Sequence, residues 1–452
     1  MFCLKKMLAL ISLALTIVNL AVAAPAREPL FIRTENPGSL NFTAQDFKRD
    51  ILIDLQPRQN PSWNYGTQKV RGVNLGGWLV AEPWITPSLF DNTGDGRVVD
   101  EWTFGQYVGD AESRLQQHWA TWITEDDLRQ IKAAGLNHVR IQIGYWAFEK
   151  GSGDQYVKSN QLSYLDKGVT WARNQGLKVQ IDLHGVPGSQ NGFDNSGRRG
   201  NADWFFNQGF ADRAKNVLQT LAQRYVNDRD TVTQIQLLNE PLTTNGDGRL
   251  DFTRSFYNDA YYAVRYARGS QPTDYSISIH DGFQPLSAWQ GQFQPPQYEQ
   301  VVLDTHIYTM FDVGKIAQTQ EERLRGLCQN RALIGQSQPN LWTIVGEWTA
   351  AFTDCAKYLN GRGIGARYDG SFPGSTRRGA CDASKSGNGN GFSSQYKANL
   401  KRMFDTQRSV YETGSGWIMW TWKAAAADWS YKRLLELGVI TYNLNDAGDV
   451  FC

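Results

Sequence analysis

Eight apolar runs of strand length recur along the chain, and they constrain the fold more than any other feature. They are Val70–Leu75, His138–Ile143, Leu177–Leu183, Ile235–Glu240, Tyr275–Ile279, Val301–His306, Trp342–Trp348 and Gly416–Trp422. Each is too apolar for a half-exposed sheet, so each reads as a strand covered on both faces. Helical segments lie between them. Thr124 to Ala134 has an N-cap threonine, three acids in its first turn and Gly135 as its stop, and Leu162 to Asn174 leads through Gly176 into the third strand. Eight strands alternating with helices predict an α/β fold, a (β/α)8 TIM barrel with a single catalytic domain.

The strand ends carry the chemistry. Their C-terminal tips read Arg140, His184, Asn239 with Glu240, His280, His306 with Tyr308, Glu347 and Trp422. In a (β/α)8 barrel these tips converge on one face. A carboxylate at the tip of an inner strand is expensive to desolvate without a partner or a task. Two of them, Glu240 and Glu347, predict paired-carboxylate chemistry at that mouth.

Composition narrows the class. Formal net charge is +1, with no basic stripe or acidic tail, which argues against nucleic acid and anionic membrane as partners. The chain has 16 Trp, 19 Tyr and 21 Phe, a content suited to sugar stacking as well as to a core. Lys5 and Lys6 precede an uncharged apolar stretch ending in Ala21-Val22-Ala23, which reads as a secretory signal peptide over residues 1–23. A dibasic pair, Lys48-Arg49, marks residues 24–49 as a propeptide and 50–452 as the catalytic domain. Beyond Cys3, the four cysteines Cys328, Cys355, Cys381 and Cys452 predict two disulfides in a secreted chain. Their spacing leaves three connectivities open. A zinc site, the other reading, lacks CxxC spacing.

Several motifs then converge on one family. Arg71–Trp78 with Glu82-Pro83-Trp84, Asp182–Gly185 running to Gln190–Gly197, Leu238-Asn239-Glu240-Pro241, Asp304–Tyr308 and Val345–Trp348 resemble the fungal exo-β-1,3-glucanases of glycoside hydrolase family five. The resemblance spans about residues 63 to 430. It implies that Glu240 is the acid/base and Glu347 the nucleophile. It further implies that Glu82, Arg140, His184, Asn239, His306, Tyr308 and Trp422 line a glucose pocket, with Trp422 as its apolar floor. Phe193 and Phe311 match a pair that clamps the next sugar. Cys328 is expected to pair with Cys452, and Cys355 with Cys381. No metal and no cofactor is implied.

A retaining glycosidase needs one protonated and one ionised carboxyl, so the two pKa values should be pushed apart. Arg140 is expected to keep Glu347 charged, while burial and the charge of Glu347 should raise Glu240. The chain departs from the family's pattern at Ala424-Ala425, where an acid is usual, at Gln142, where proline is common, and at Gln236, where glutamate is common. The implied protein is a secreted monomer, extracellular or in the cell wall, that releases glucose from β-1,3-glucan and transglycosylates. A β-1,6-glucanase or a wall glucan transglucosylase on the same scaffold is the alternative. A non-catalytic wall-binding protein is the alternative of another class.

Overall fold

Every strand pairs in parallel with the next, and the last closes on the first, giving a barrel in the order β1 to β8. The structure is a computed structural model and describes residues 62–452. The signal peptide and propeptide expected over residues 1–49 lie outside the described residues. In chain order the barrel consists of β1 (Val70–Asn74), α1 (Glu125–Ala133), β2 (His138–Gly144), α2 (Gln161–Asn174), β3 (Lys178–Gly185), α3 (Gln208–Arg224) and β4 (Val232–Gln236). It continues with α4 (Arg249–Arg265), β5 (Ser276–His280), β6 (Val301–Ile307), α5 (Gln320–Ser337), β7 (Trp342–Trp348), α6 (Ser394–Tyr411) and β8 (Gly416–Met419).

The alternation has one exception. Between β5 and β6 the chain makes only a 3-10 turn, Leu286–Trp289. The turn stops where Gln290 becomes extended and Gly291 takes φ +74°, and Pro295-Pro296 follow too closely for a helix to resume. Trp289, buried, and its neighbour Phe293 cover that stretch of barrel instead.

The strands are buried on both faces, but those faces differ in chemistry. In β3 the order Gln180-Ile181-Asp182-Leu183-His184 alternates polar and apolar, and β5 repeats the pattern as Ser276-Ile277-Ser278-Ile279-His280. Arg140 on β2 donates to Gln236 on β4, and Gln236 donates to Asp304 on β6. These strands are not neighbours, so the bonds cross the barrel interior and the polar positions face inward. The apolar set faces the helices: a Cβ at Gly168 of α2 would lie 3.3 Å from Ile141 Cδ1. The interior is therefore a hydrogen-bonded network inside an apolar sleeve.

Strand four shows why its tip matters. Regular pairing stops at Gln236, four residues before Glu240, yet Leu237 N–H still donates to Ser278 and Asn239 N–H to Leu183 on either side. Glu240 itself adopts φ +43°. A non-glycine residue there costs about 1–3 kcal/mol and persists only when its surroundings over-determine it.

Among the described residues, two disulfides are present. Cys328–Cys452 joins α5 to the C-terminal residue, and Cys355–Cys381 closes part of the long loop after β7. Among the described residues, no helix is long and apolar enough to cross a membrane.

One carboxylate ties a helix to the end of β8. Asp127 accepts from the Thr124 N–H to complete the α1 capping box, from Trp422 Nε1 at 3.0 Å and from Lys423 Nζ at 2.8 Å. Lys423 and these hydrogen bonds outweigh burial and keep Asp127 below the usual carboxylate range. Removing only the cap, in Thr124→Ala, should destabilise the protein by about 1 kcal/mol. Asp127→Ala also strands a half-buried amine and an indole N–H, so it should cost about 2 kcal/mol or more. Urea unfolding of the two variants checks the order, and equal losses would contradict it.

Candidate active site

Arg140 organises the interior. It is the third residue of β2 rather than its tip, with no exposed surface. Its Nε donates to Gln236 Oε1 at 2.8 Å, and Nη1 donates to Asn74 Oδ1 at 2.9 Å and to Glu347 Oε1 at 2.7 Å. Nη2 donates to Asn239 Oδ1 at 2.8 Å and faces Asp182 Oδ2 at 3.0 Å. All three nitrogens are engaged, which is how a buried guanidinium is tolerated. Burial disfavours the cation, but the charges of Asp182 and Glu347 outweigh it, so Arg140 stays charged.

The two glutamates meet at His306. Its Nδ1 donates to Glu240 Oε1 at 2.7 Å and lies 3.5 Å from Glu347 Oε2. Its Nε2 lies 3.5 Å from Asp304 Oδ2. Burial alone would deprotonate the ring, but Glu347 and Asp304 raise its pKa well above the usual histidine value. Asp304 also accepts from the Gly346 N–H at 2.7 Å. A Cβ at Gly346 would come within 2.6 Å of all three of its carboxyl atoms, so glycine before Glu347 is required by this contact.

Each glutamate has further partners. Tyr308 Oη donates to Glu347 Oε2 at 2.9 Å, and Asn195 Nδ2 donates to Glu240 Oε2 at 3.1 Å. The expected polarity of the pair is reversed. Burial raises Glu240, but the hydrogen bond and charge of His306 pull it below its ordinary value. Burial raises Glu347, and with the charge of Glu240 it prevails over His306 and Arg140. The cause is position: the nearest cation to Glu240 is His306, which no strand pattern can reveal.

Around this pair, several polar groups are held by one atom and open at another. Asn239 gives Oδ1 to Arg140, and its Nδ2 has no partner among the described residues. His184 Nδ1 donates to Asp182 Oδ2 at 2.6 Å, leaving Nε2 unpaired. Glu82 Oε2 accepts from Trp84 Nε1 at 3.0 Å, leaving Oε1 unpaired. Burial and the charge of Asp194 push Glu82 well above the usual carboxyl range. Phe193 begins the turn that carries Asn195, and Phe311 packs on Tyr308 with centroids 5.4 Å apart. Both rings are substantially exposed.

Trp422 requires a correction. Its indole is buried against Tyr431 and bonded to Asp127 on α1, which turns it away from the carboxylates. The ring stacked beside His184, with centroids 5.7 Å apart, is Trp420. It packs in one cluster with Trp84, Trp429 and Tyr308. The Trp-Thr-Trp sequence offers two rings two residues apart, and only the fold distinguishes them. Asp182, Asp304, Gln236 and Asn195 also hold the site without having been assigned a role from sequence; for the first three, a buried polar residue within an apolar run was the available signal, and Asn195, in a polar loop turn, gave none.

His280 lies at the end of β5 with its ring 4.3 Å from that of His306. Glu240, His280 and His306 could offer three metal-ligand atoms within 4.8 Å. However, His280 Nδ1 already accepts the Gly282 N–H, which leaves the proton on Nε2, and His306 Nδ1 is bonded to Glu240. A metal here would have to displace the bonds that organise the pair.

Two buried carboxyls that share one imidazole, at the catalytic mouth of a parallel barrel, form the constellation of a glycosidase. The family model "Cellulase (glycosyl hydrolase family 5)" matches residues 105–366. The probable glucan 1,3-beta-glucosidase A of Aspergillus niger is 46% identical over 378 residues, 83% of this chain and 88% of that protein. The glucan 1,3-beta-glucosidase of Blumeria graminis is 43% identical over 403 residues, 87% and 92% of the two chains. Among solved structures, rutinosidase from Aspergillus niger superposes with TM-score 0.66 at 20% identity, covering 84% of this chain and 99% of that one. The chain belongs to glycosyl hydrolase family 5 and is a glycoside hydrolase.

The charge distribution predicts two histidine titrations of opposite sense. His306 should remain an imidazolium well above pH 6.5, whereas burial and the His306 charge keep His280 neutral well below it. Nitrogen-detected NMR of the histidine rings reads both. Glu347→Gln should lower the His306 value, because a neutral amide replaces a nearby carboxylate. A neutral His306 at pH 6 in the unmodified protein would contradict this electrostatic picture.

Proposed function

We propose that the protein is a secreted, retaining exo-β-1,3-glucanase that releases glucose from the non-reducing ends of β-1,3-glucan, transglycosylates, and serves fungal wall glucan metabolism. Residues 50–452 would form the mature domain, acting as a monomer. The relatives' names support the substrate, and the two disulfides support an oxidising, secretory destination.

One observation carries the retaining mechanism. A single His306 nitrogen lies 2.7 Å from one glutamate and 3.5 Å from the other. Those two legs together are shorter than the roughly 6.5–9.5 Å that an inverting pair needs to accommodate water. Glu347, oriented by Arg140 and Tyr308 on its two oxygens, attacks the anomeric carbon. The carbon–oxygen bond to the leaving sugar breaks, and Glu240 gives that oxygen a proton. Glu240 must be protonated before this step, against the lowered pKa that the His306 bond gives it. Water then enters, Glu240 takes its proton, and the glycosyl ester to Glu347 is hydrolysed.

The open polar groups fit a pyranose. Asn239 Nδ2, aimed by Arg140, would donate to the 2-hydroxyl, while His184 Nε2 and Glu82 Oε1 would take other hydroxyls. Trp420 would supply the apolar face, and Phe193 and Phe311 would flank the next sugar.

Proton NMR of the first product from laminarin tests the reading: β-glucose should precede mutarotation, and α-glucose first would overturn retention. Laminarin should yield glucose alone and react faster than pustulan; a preference for pustulan would favour the β-1,6 alternative. Glu347→Gln should lower kcat by several powers of ten. Glu240→Ala should spare aryl glucosides with good leaving groups far more than laminarin. Equal losses on both substrates would remove Glu240 from the acid role.

A further inference from the structure

Among the described residues, four phenylalanines are more than a third exposed: Phe193, Phe206, Phe283 and Phe311. All stand in segments that follow strands, at the catalytic end of the barrel. Phe206 is the most exposed, at 58%, and adopts φ +60°. A bulky residue takes that conformation only where its surroundings impose it, and such outliers cluster at functional surfaces. Here Asn207, which caps α3 by accepting the Phe210 N–H, fixes the turn that follows. The Phe206 ring rests on Phe252 of α4, with centroids 5.5 Å apart, and stays open to solvent.

A groove of about 330 Å³ lies beside it, between the N-terminal halves of α3 and α4. Besides the aromatic rings it is lined by Gln208, Asp212, Lys215, Asp251, Ser255 and Asp259. Three carboxylates meet two cations there: Lys215 is bonded to Asp212 at 3.0 Å, and Arg254 pairs with Asp251 at 3.3 Å. The resulting negative field opposes phosphates and acidic chains. An apolar ring flanked by carboxylate, amide and hydroxyl groups suits a neutral polyol, whose C–H face stacks while its hydroxyls donate. Two loops connect the groove with the active site. The β3–α3 loop carries Asn195, which touches Glu240, and ends at Phe206; the β4–α4 loop carries Glu240 and ends at Gly248, beside the same groove.

We propose that this groove is a second glucan-binding site, which holds a stretch of β-glucan chain on the Phe206 ring outside the catalytic pocket. The proposal rests on the glucanase reading for its ligand. The test is retention on insoluble β-1,3-glucan of the Glu347→Gln protein, which binds without turnover. Adding Phe206→Ala should lower the retained fraction about fivefold, the scale of one stacked ring, and Phe206→Trp should restore it. In the active enzyme, Phe206→Ala should leave kcat/KM on an aryl glucoside unchanged while lowering it on laminarin. Unchanged retention, or an equal loss on the aryl glucoside, would overturn the site. Release of the bound protein by polylysine but not by soluble laminarin would also overturn it, in favour of a cationic partner. Failure of the active enzyme to cleave laminarin is a separate outcome, and it would instead reject the glucanase reading.

Discussion

The site depends on one buried cation. Arg140 gathers Asn74 from β1, Asp182 from β3, Gln236 from β4, Asn239 from the loop beyond it and Glu347 from β7. Leaving any of these groups unpaired in the barrel interior would cost on the order of 1–3 kcal/mol, and more for a carboxylate. The same bonds aim the machinery: Arg140 fixes which face of the Asn239 amide is open and which oxygen of Glu347 is held. Structural satisfaction and catalytic orientation are here one set of contacts.

Charge balance explains two departures from the family's pattern. Gln236 accepts from Arg140 and from Gln180 at 3.0 Å while donating to Asp304 at 2.9 Å. A glutamate in its place would set a like charge against Asp304, whereas the neutral amide satisfies both sides. Gln142 donates to Asn74 Oδ1 at 2.7 Å, reinforcing the residue that also accepts from Arg140. Neither substitution touches Glu240 or Glu347. Ala424 packs against the apolar cluster that includes Trp84 and Trp420, and the Ala425 N–H donates to Ile85, so that edge of the pocket is neutral.

Strand count and barrel closure were legible because each strand is short, apolar on its helix-facing side and bounded by recognisable turns. The convergence of His184, Asn239, Glu240, His306, Tyr308 and Glu347 followed from their places near strand ends, whereas Glu82, in the loop after β1, came only from the family resemblance. What strand order could not convey was contact through the interior. Arg140 acts from mid-strand, and His306 on β6 reaches past β5 to Glu240 beyond β4, which reverses the resting polarity of the carboxyls. The choice between Trp420 and Trp422 likewise depends on Asp127, a residue of α1 nearly three hundred positions away. The helix expected between β5 and β6 failed at Gly291, with Pro295-Pro296 close behind, both visible in the sequence.

Trapping the covalent intermediate tests the central claim most directly: Glu347 attacks while the Glu240–His306 pair manages the proton. A 2-fluoro-2-deoxyglucoside with a good leaving group slows the second step, and peptide mass spectrometry then locates the label. The glycosyl group should be esterified to Glu347 in the peptide containing Gly346-Glu347-Trp348, with inactivation in step with labelling. A label on Glu240, or turnover with no covalent adduct at either carboxylate, would contradict the roles assigned to the pair.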